Sequence, residues 1–156
     1  MKTMTSKDFT VTISVDHTPR EVFNAISNVK GWWNDKAKGS STKVGDEFET
    51  QFGDVHYSKQ KLVEVIPDQK IVWLVTDSKL NFLEDKHEWN GSKISFEISR
   101  NNNKTQLRLT HIGLVPEVEC YDACSSGWTQ YLRCSLQSLI THGKGQPGFP
   151  PDGPLE

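Results

Sequence analysis

The sequence predicts an α+β domain in which a curved antiparallel sheet of about six strands wraps around a long C-terminal helix. Three observations lead to this prediction: an alternating strand opens the fold, further strands follow through short turns, and one long amphipathic helix comes last. A sheet with one apolar face must cover that face. The last helix is the one predicted element long enough to do so.

The first strand and the helix after it have clear signals. Apolar and polar residues alternate from Phe9 to Val15, which puts one face of this strand on a core. The run that follows, Thr18-Pro19-Arg20-Glu21, combines an N-cap, a proline at the first helical position and the glutamate of a capping box. A short helix is therefore expected directly after strand 1, and it yields to Gly31-Trp32-Trp33.

The middle of the chain predicts strands joined mainly by hairpins. Residues 34–43 form a polar loop, and residues 77–86 predict a loop or a short helix over the edge of the sheet. Asn101-Asn102-Asn103 predicts a turn between the last two strands. The predicted strands lie near residues 48–52, 55–66, 71–76, 94–98 and 107–111.

The last element is predicted as a helix over about residues 118–142. Its apolar stripe recurs at steps of three and four residues, and Gly143 ends it. Glycine and proline dominate the sequence beyond that point. We therefore expect a single domain over residues 1–145 and an extended, flexible tail over residues 146–156. The stripe consists of Cys124, Trp128, Leu132, Leu136 and Leu139.

Composition excludes several classes of function. The 156-residue chain has a net charge of −2 with scattered Lys and Arg, so it lacks the clustered cations that nucleic acids or anionic membranes require. Its apolar runs are shorter than the roughly 20 residues that span a bilayer. The N-terminal residues are polar, so the expected location is the cytoplasm.

Three cysteines, Cys120, Cys124 and Cys134, are interpreted as free thiols in a reducing compartment. Cys120 and Cys124 share a helical face and, with His111, could imitate a zinc site. Structural zinc requires four ligands, however, and there is no second pair of cysteines. No glycine-rich phosphate loop follows a strand into a helix, which gives nucleotide binding no support. We therefore expect neither a metal nor a cofactor.

The candidate site is an apolar pocket between the last helix and the sheet. Each aromatic ring taken alone is more readily explained as core packing, but their number on one small sheet favours a ring-lined pocket. The residues assigned to this pocket are Trp33, Phe48, Phe52, Trp73, Phe82, Trp89, Phe96, Leu109, His111, Trp128, Leu132 and Leu136.

His111 has two interpretations. It shares the inward parity of its strand with Leu107 and Leu109, which favours a core histidine satisfied by a local partner. Alternatively, it is a polar anchor that bonds the hydroxyl or carbonyl of a ligand. Acid–base catalysis would need a second titratable group, for which His56 and Glu88 are candidates.

Taken together, the motifs resemble a known family, the activator of heat-shock protein 90 ATPase homologue-like domains of the lipid-transfer, polyketide cyclase and birch-allergen superfamily. The resemblance covers residues 9 to about 145 and rests on order and spacing. The matching segments are residues 9–15, 18–23, 31–33, 45–46, 63–67 and 110–114, then Gly127-Trp128 with the leucines that lead to Gly143.

This resemblance implies a helix-grip fold with an internal hydrophobic cavity, but it implies no single activity. The expected function is binding of an apolar or aromatic small molecule such as a lipid, sterol or polyketide. One alternative is a co-chaperone-like stimulator of a heat-shock protein ATPase that acts through its surface. Another is a cyclase-type enzyme acting in the cavity. We expect a monomer.

Overall fold

The computed structural model describes residues 7–148, in which seven strands form one antiparallel sheet ordered β1-β7-β6-β5-β4-β3-β2. The short strand β2 lies in the predicted polar loop and pairs with β3, which brings the sheet to seven strands rather than about six. The strands are β1 (Phe9–Val15), β2 (Lys38–Gly39), β3 (Glu47–Phe52), β4 (His56–Ile66), β5 (Lys70–Leu80), β6 (Lys93–Asn101) and β7 (Lys104–Ile112).

Helices lie between β1 and β2 and at the end of the described chain. The first two are α1 (Pro19–Ser27) and α2 (Val29–Trp32). Residues 121–142, called the C-terminal helix here, comprise α3 (Tyr121–Gln130), a π-helical segment (Tyr131–Leu136) and α4 (Gln137–His142). Gly143 follows in the left-handed conformation, at a φ of 79°. The predicted helix-grip α+β fold is confirmed.

The capping box predicted for α1 is present. The Thr18 hydroxyl accepts a hydrogen bond from the backbone N–H of Glu21 at 3.1 Å, and the Glu21 carboxylate accepts one from the backbone N–H of Thr18 at 2.9 Å. These bonds satisfy two donors that a helix start otherwise leaves open. The buried side chains Val22, Ala25 and Ile26 then direct α1 toward the core.

The long strands β4 and β5 shape the end of the sheet that matters below. They pair from His56 opposite Leu80 to Ile66 opposite Lys70, with two register shifts along β4. Such irregularities bend a strand and increase its twist. Because β5 stays paired with β4 as far as Leu80, the segment predicted to be irregular from residue 77 begins instead at residue 81.

The core lies between the sheet and the helices. Trp32, Trp73 and Phe96 are fully buried there, and leucines of the C-terminal helix pack on the same cluster. Among the residues described, no helix combines the length and hydropathy needed to cross a membrane.

Candidate functional site

A cavity of about 170 Å³ opens at one end of the space between the sheet and the C-terminal helix. Three segments form its walls: the β3–β4 turn, residues 81–92 and the first half of the helix. The backbone N–H of Asn81 donates to the carbonyl of Val55, which joins the first two walls. The cavity is lined by Trp33, Phe52, Val55, His56, Phe82, Trp89, Ala123, Cys124, Gly127, Trp128 and Tyr131.

Stacked indole rings close the cavity on the inner side. Trp128 lies between Trp33, at a centroid distance of 5.2 Å, and Trp89, at 6.0 Å. Trp33 also stacks on Trp73 at 5.4 Å, deeper in the core. The rings therefore fill the middle of the groove, and this cavity lies toward its end.

His111 holds two walls of the cavity together. The indole N–H of Trp128 donates to its Nδ1 at 3.0 Å, and its Nε2 lies 2.9 Å from the hydroxyl of Ser92. Because an indole nitrogen can only donate, Nδ1 is the acceptor and Nε2 carries the proton of a neutral ring. Ser92 in turn donates to the backbone carbonyl of Trp89 at 2.7 Å.

His56 is the polar ring in the cavity wall. Its ring meets Trp89 edge to face at 4.8 Å and Phe52 at 5.1 Å, and its Nε2 lies 3.3 Å from the Ser58 hydroxyl. Burial lowers the pKa of His56 from 6.5 to about 4, since a charged imidazole would lose its hydration there. His56 is therefore neutral at physiological pH.

Two further polar groups lie at the cavity wall. The Tyr131 hydroxyl donates to the backbone carbonyl of Gly148, and burial raises its pKa above the usual value of 10. The indole N–H of Trp89 is buried and has no acceptor among residues 7–148.

Carboxylates join residues 81–92 to the start of the C-terminal helix. Glu88 accepts hydrogen bonds from the backbone N–H groups of Glu119 and Cys120, both at 2.9 Å. Glu119 accepts in return from the N–H groups of Glu84, at 2.9 Å, and Asp85, at 3.3 Å. This reciprocal clamp fixes residues 81–92 against the start of the C-terminal helix.

The expectation of free thiols is wrong for two of the three cysteines. The structure joins Cys120 and Cys124 in a disulfide, with Cα atoms 5.5 Å apart, because one helical turn brings the side chains at positions i and i+4 together. Within residues 7–148, no group of three or more His, Cys, Asp or Glu side chains is arranged to hold a metal ion.

The residues assigned to the pocket from sequence fall into two sets. The structure brings five of them to the cavity wall: Trp33, Phe52, Phe82, Trp89 and Trp128. The others lie in the packed core beside it: Phe48, Trp73, Phe96, Leu109, His111, Leu132 and Leu136.

Six lining residues were not assigned to the pocket from sequence: Val55, His56, Ala123, Cys124, Gly127 and Tyr131. Tyr131 follows Trp128 by three residues, so helical spacing alone could have placed it on the same face. Val55 and Ala123 gave no such signal. Both are exposed and lie at the mouth of the cavity, where two distant segments of chain meet.

Comparisons with known proteins agree with this architecture. No curated protein matches the chain. The solution structure of the Aha1 dimer from Colwellia psychrerythraea has a TM-score of 0.70 and 23% identity, over 88% of this chain and 98% of that one. SSP2350 from Staphylococcus saprophyticus has a TM-score of 0.67 and 17% identity, over 89% and 95%. DynU16, from the dynemicin biosynthetic locus, has a TM-score of 0.66 and 15% identity, over 90% and 49%.

At these identities the structural neighbours show a shared fold. The sequence model of the family described as activator of Hsp90 ATPase homolog 1-like protein matches residues 16–141, which is most of the chain. The chain therefore belongs to the family of activator of Hsp90 ATPase homolog 1-like proteins.

Proposed function

We propose that this domain binds a small apolar or aromatic molecule in the cavity between the β3–β4 turn, residues 81–92 and the C-terminal helix. One observation carries the proposal: among the described residues, the lining is almost wholly aromatic and aliphatic and includes no Lys, Arg, Asp or Glu. Pockets of this kind gain affinity mainly from apolar burial, and a few polar groups orient the ligand.

The size of the cavity limits the ligand. Typical ligand pockets enclose roughly 300–1,000 Å³, whereas this one encloses about 170 Å³. A single ring or a short branched chain suits this space better than a sterol or a long acyl chain. The unpaired indole N–H of Trp89 supports a ligand with an acceptor atom, because such an atom would satisfy a buried donor.

The state of the polar groups favours binding over proton transfer. His56 has a pKa of about 4 and is neutral, while burial raises the pKa of Tyr131 and keeps its hydroxyl protonated. Acid–base catalysis works best when the pKa lies near the working pH. Neither group meets that condition, which supports a carrier or sensor role more than a cyclase-type reaction.

Gly127 provides a direct test, because it lines the cavity and a Cβ placed there meets nothing within 4 Å. Gly127→Leu fills the cavity, whereas Gly127→Ala adds one methyl group. Removing a glycine from a helix stabilises it by roughly 0.5–1 kcal/mol, so both variants should fold at least as well as the parent. We expect 3-phenylpropan-1-ol to bind the parent and Gly127→Ala and to lose at least tenfold in affinity for Gly127→Leu, as measured by calorimetric titration.

Equal affinity of the probe for the two variants would place binding elsewhere and contradict the proposal. Nuclear magnetic resonance shift changes should cluster on the cavity residues, with Phe52 and Trp128 among them. A folded parent protein that binds neither this alcohol nor any member of a library of single-ring aromatics would also contradict it.

A second candidate function follows from the family description, which names activation of a chaperone ATPase. The structural neighbour described as an Aha1 dimer points the same way. Such an activity would use the surface of the domain rather than the cavity. A chaperone ATPase assay separates the two, because stimulation by the protein that persists in Gly127→Leu would favour the surface function.

A further inference from the structure

Three acidic residues adjoin the segments that form the mouth of the cavity. Asp54 directly precedes the lining residue Val55, Glu84 lies two positions after Phe82, and Asp122 directly precedes Ala123. All three carboxylates belong to exposed residues. We call Asp54, Glu84 and Asp122 the rim carboxylates.

Salt bridges do not neutralise these charges in the part of the chain that the structure describes. None of the three rim carboxylates takes part in an ion pair within residues 7–148. The nearby ammonium of Lys86 donates instead to the backbone carbonyls of Leu83, at 3.0 Å, and Asn81, at 3.4 Å. The Glu88–Glu119 clamp adds two further carboxylates on the same side.

The interior contributes no positive charge to offset this field. The histidine in the wall, His56, is neutral and sits among apolar rings. A cleft with low-dielectric walls concentrates the field of the charges at its mouth. An anionic head group at the mouth would be repelled, and a cationic one would be attracted.

The ring faces inside the cavity are largely occupied by other rings. Trp33 and Trp89 both stack against Trp128, and His56 stands edge to face against Trp89. A cation therefore gains more at the rim than over an indole face in the interior. The apolar body of the ligand belongs inside, and the charge belongs outside.

We propose that the cavity selects ligands that combine a small apolar body, held inside, with a positively charged amine held by the rim carboxylates. This proposal rests on the proposed function, since it concerns the same cavity. It assigns the ligand to the aryl-alkyl or branched-alkyl amines and excludes carboxylic acids of the same shape.

Three probes with one ring and one chain length isolate the head group: 3-phenylpropylammonium, 3-phenylpropan-1-ol and 3-phenylpropanoate. At low ionic strength we expect the ammonium to bind about three- to tenfold tighter than the alcohol, given the modest strength of exposed charge pairs, and the carboxylate to bind weakest. The advantage of the ammonium should shrink toward unity near 0.5 M salt, where the Debye length falls well below 10 Å.

Charge-removing variants locate the effect. Asp122→Asn and Glu84→Gln should each lower the affinity for the ammonium about twofold or more and leave the affinity for the alcohol unchanged. Glu97→Gln is the matched control, because it removes the same charge from an exposed residue on β6, where Phe96 and Ile98 take the buried face. It should change neither affinity.

The outcomes separate the two proposals. If the alcohol binds as tightly as the ammonium, or the carboxylate binds tightest, charge selection is overturned and the cavity function stands. If the control Glu97→Gln lowers ammonium affinity as much as Asp122→Asn, the charge effect belongs to the whole molecule, and the rim assignment is overturned. If none of the three probes binds the folded protein, both proposals fail.

Discussion

At the scale of single residues, His111 shows how one buried group organises a site that it does not line. It is 1% exposed, and both ring nitrogens are bonded, one to Trp128 on the helix and one to Ser92 before β6. Burial lowers its pKa from 6.5 to about 3, and repulsion from a charged His56 adds to the effect. The neutral ring thereby joins helix and sheet.

This arrangement predicts a loss of stability in acid. The unfolded chain takes up a proton on His111 near pH 6.5, while the folded protein resists it until about pH 3. The contribution of His111 is therefore complete above about pH 6.5 and declines as the pH falls through that window. Between pH 7 and pH 5 we expect the free energy of unfolding to drop by roughly 2 kcal/mol from this residue, measured by urea denaturation.

Two variants check the assignment of this acid sensitivity. His111→Gln should show a shallower fall between pH 7 and pH 5, although it starts from lower stability. His142→Asn changes an exposed histidine at the end of the C-terminal helix and should keep the full dependence. If His111→Gln and the parent have the same slope, the linkage to His111 is incorrect.

At the scale of elements, the features that could be predicted are those that depend on contacts between residues close in sequence. The Thr18–Glu21 box could be predicted because its donors and acceptors lie three residues apart. The alternation along β7 likewise predicted that His111 faces inward with Leu109, and both are buried. Its partner Trp128, however, belongs to a helix 17 residues further on, and no periodicity reports that pairing.

The π-helical segment could not be predicted for a related reason. The apolar stripe repeats at steps of three and four, as in an ordinary α-helix, yet Tyr131–Leu136 widens to π geometry. The buried hydroxyl of Ser135 donates to the carbonyl of Trp32 at 2.6 Å and accepts from the N–H of Gln146 at 2.7 Å. These contacts across the fold accompany the widened turn, and the helix sequence does not encode them locally.

The capping box gives a prediction of its own. Thr18→Ala leaves the backbone N–H of Glu21 without its side-chain acceptor, so we expect a loss of about 1 kcal/mol in the free energy of unfolding by thermal or urea denaturation. Ser126→Ala, on the exposed surface of α3, serves as a control and should be neutral or slightly stabilising. A neutral Thr18→Ala would mean that α1 is held by packing alone.

At the scale of the whole molecule, the described chain ends by returning to the cavity. The N–H of Gly148 donates to the carbonyl of Trp33 at 2.9 Å, and its carbonyl accepts from Tyr131. Gly145 passes so close to Gly31 that a Cβ added at Gly145 would lie 2.3 Å from the carbonyl oxygen of Gly31. The predicted tail thus begins within a hydrogen-bonded segment, and residues 149–156 lie outside the described part.

Two truncations measure what this return contributes. A chain ending at Gly148 keeps the bonds of residues 146–148, whereas a chain ending at Gly145 loses them. We expect the shorter chain to be less stable by about 1–3 kcal/mol, because Tyr131 loses the acceptor of a mostly buried hydroxyl. Equal melting temperatures for the two chains would show that these bonds add nothing to stability.

The fold could be predicted as a whole, whereas the cavity could be predicted only in part. The order of elements determines that a helix covers a sheet, and the family resemblance adds a cavity between them. The volume left open depends on how large rings fill that space. Trp33, Trp73 and Trp128 stack across it, so the opening lies at one end, beside Val55 and Ala123.

The same stack has an optical consequence. All five tryptophans of the chain form one continuous set of neighbouring rings, through Trp32–Trp33, Trp33–Trp73, Trp33–Trp128 and Trp89–Trp128. Excitation energy passes readily from one indole to the next at such separations, so the fluorescence of the protein comes from all five rings together. Replacing one tryptophan will therefore not isolate a single reporter, and near-ultraviolet circular dichroism, which reports fixed side-chain packing, will follow the core and the cavity wall together.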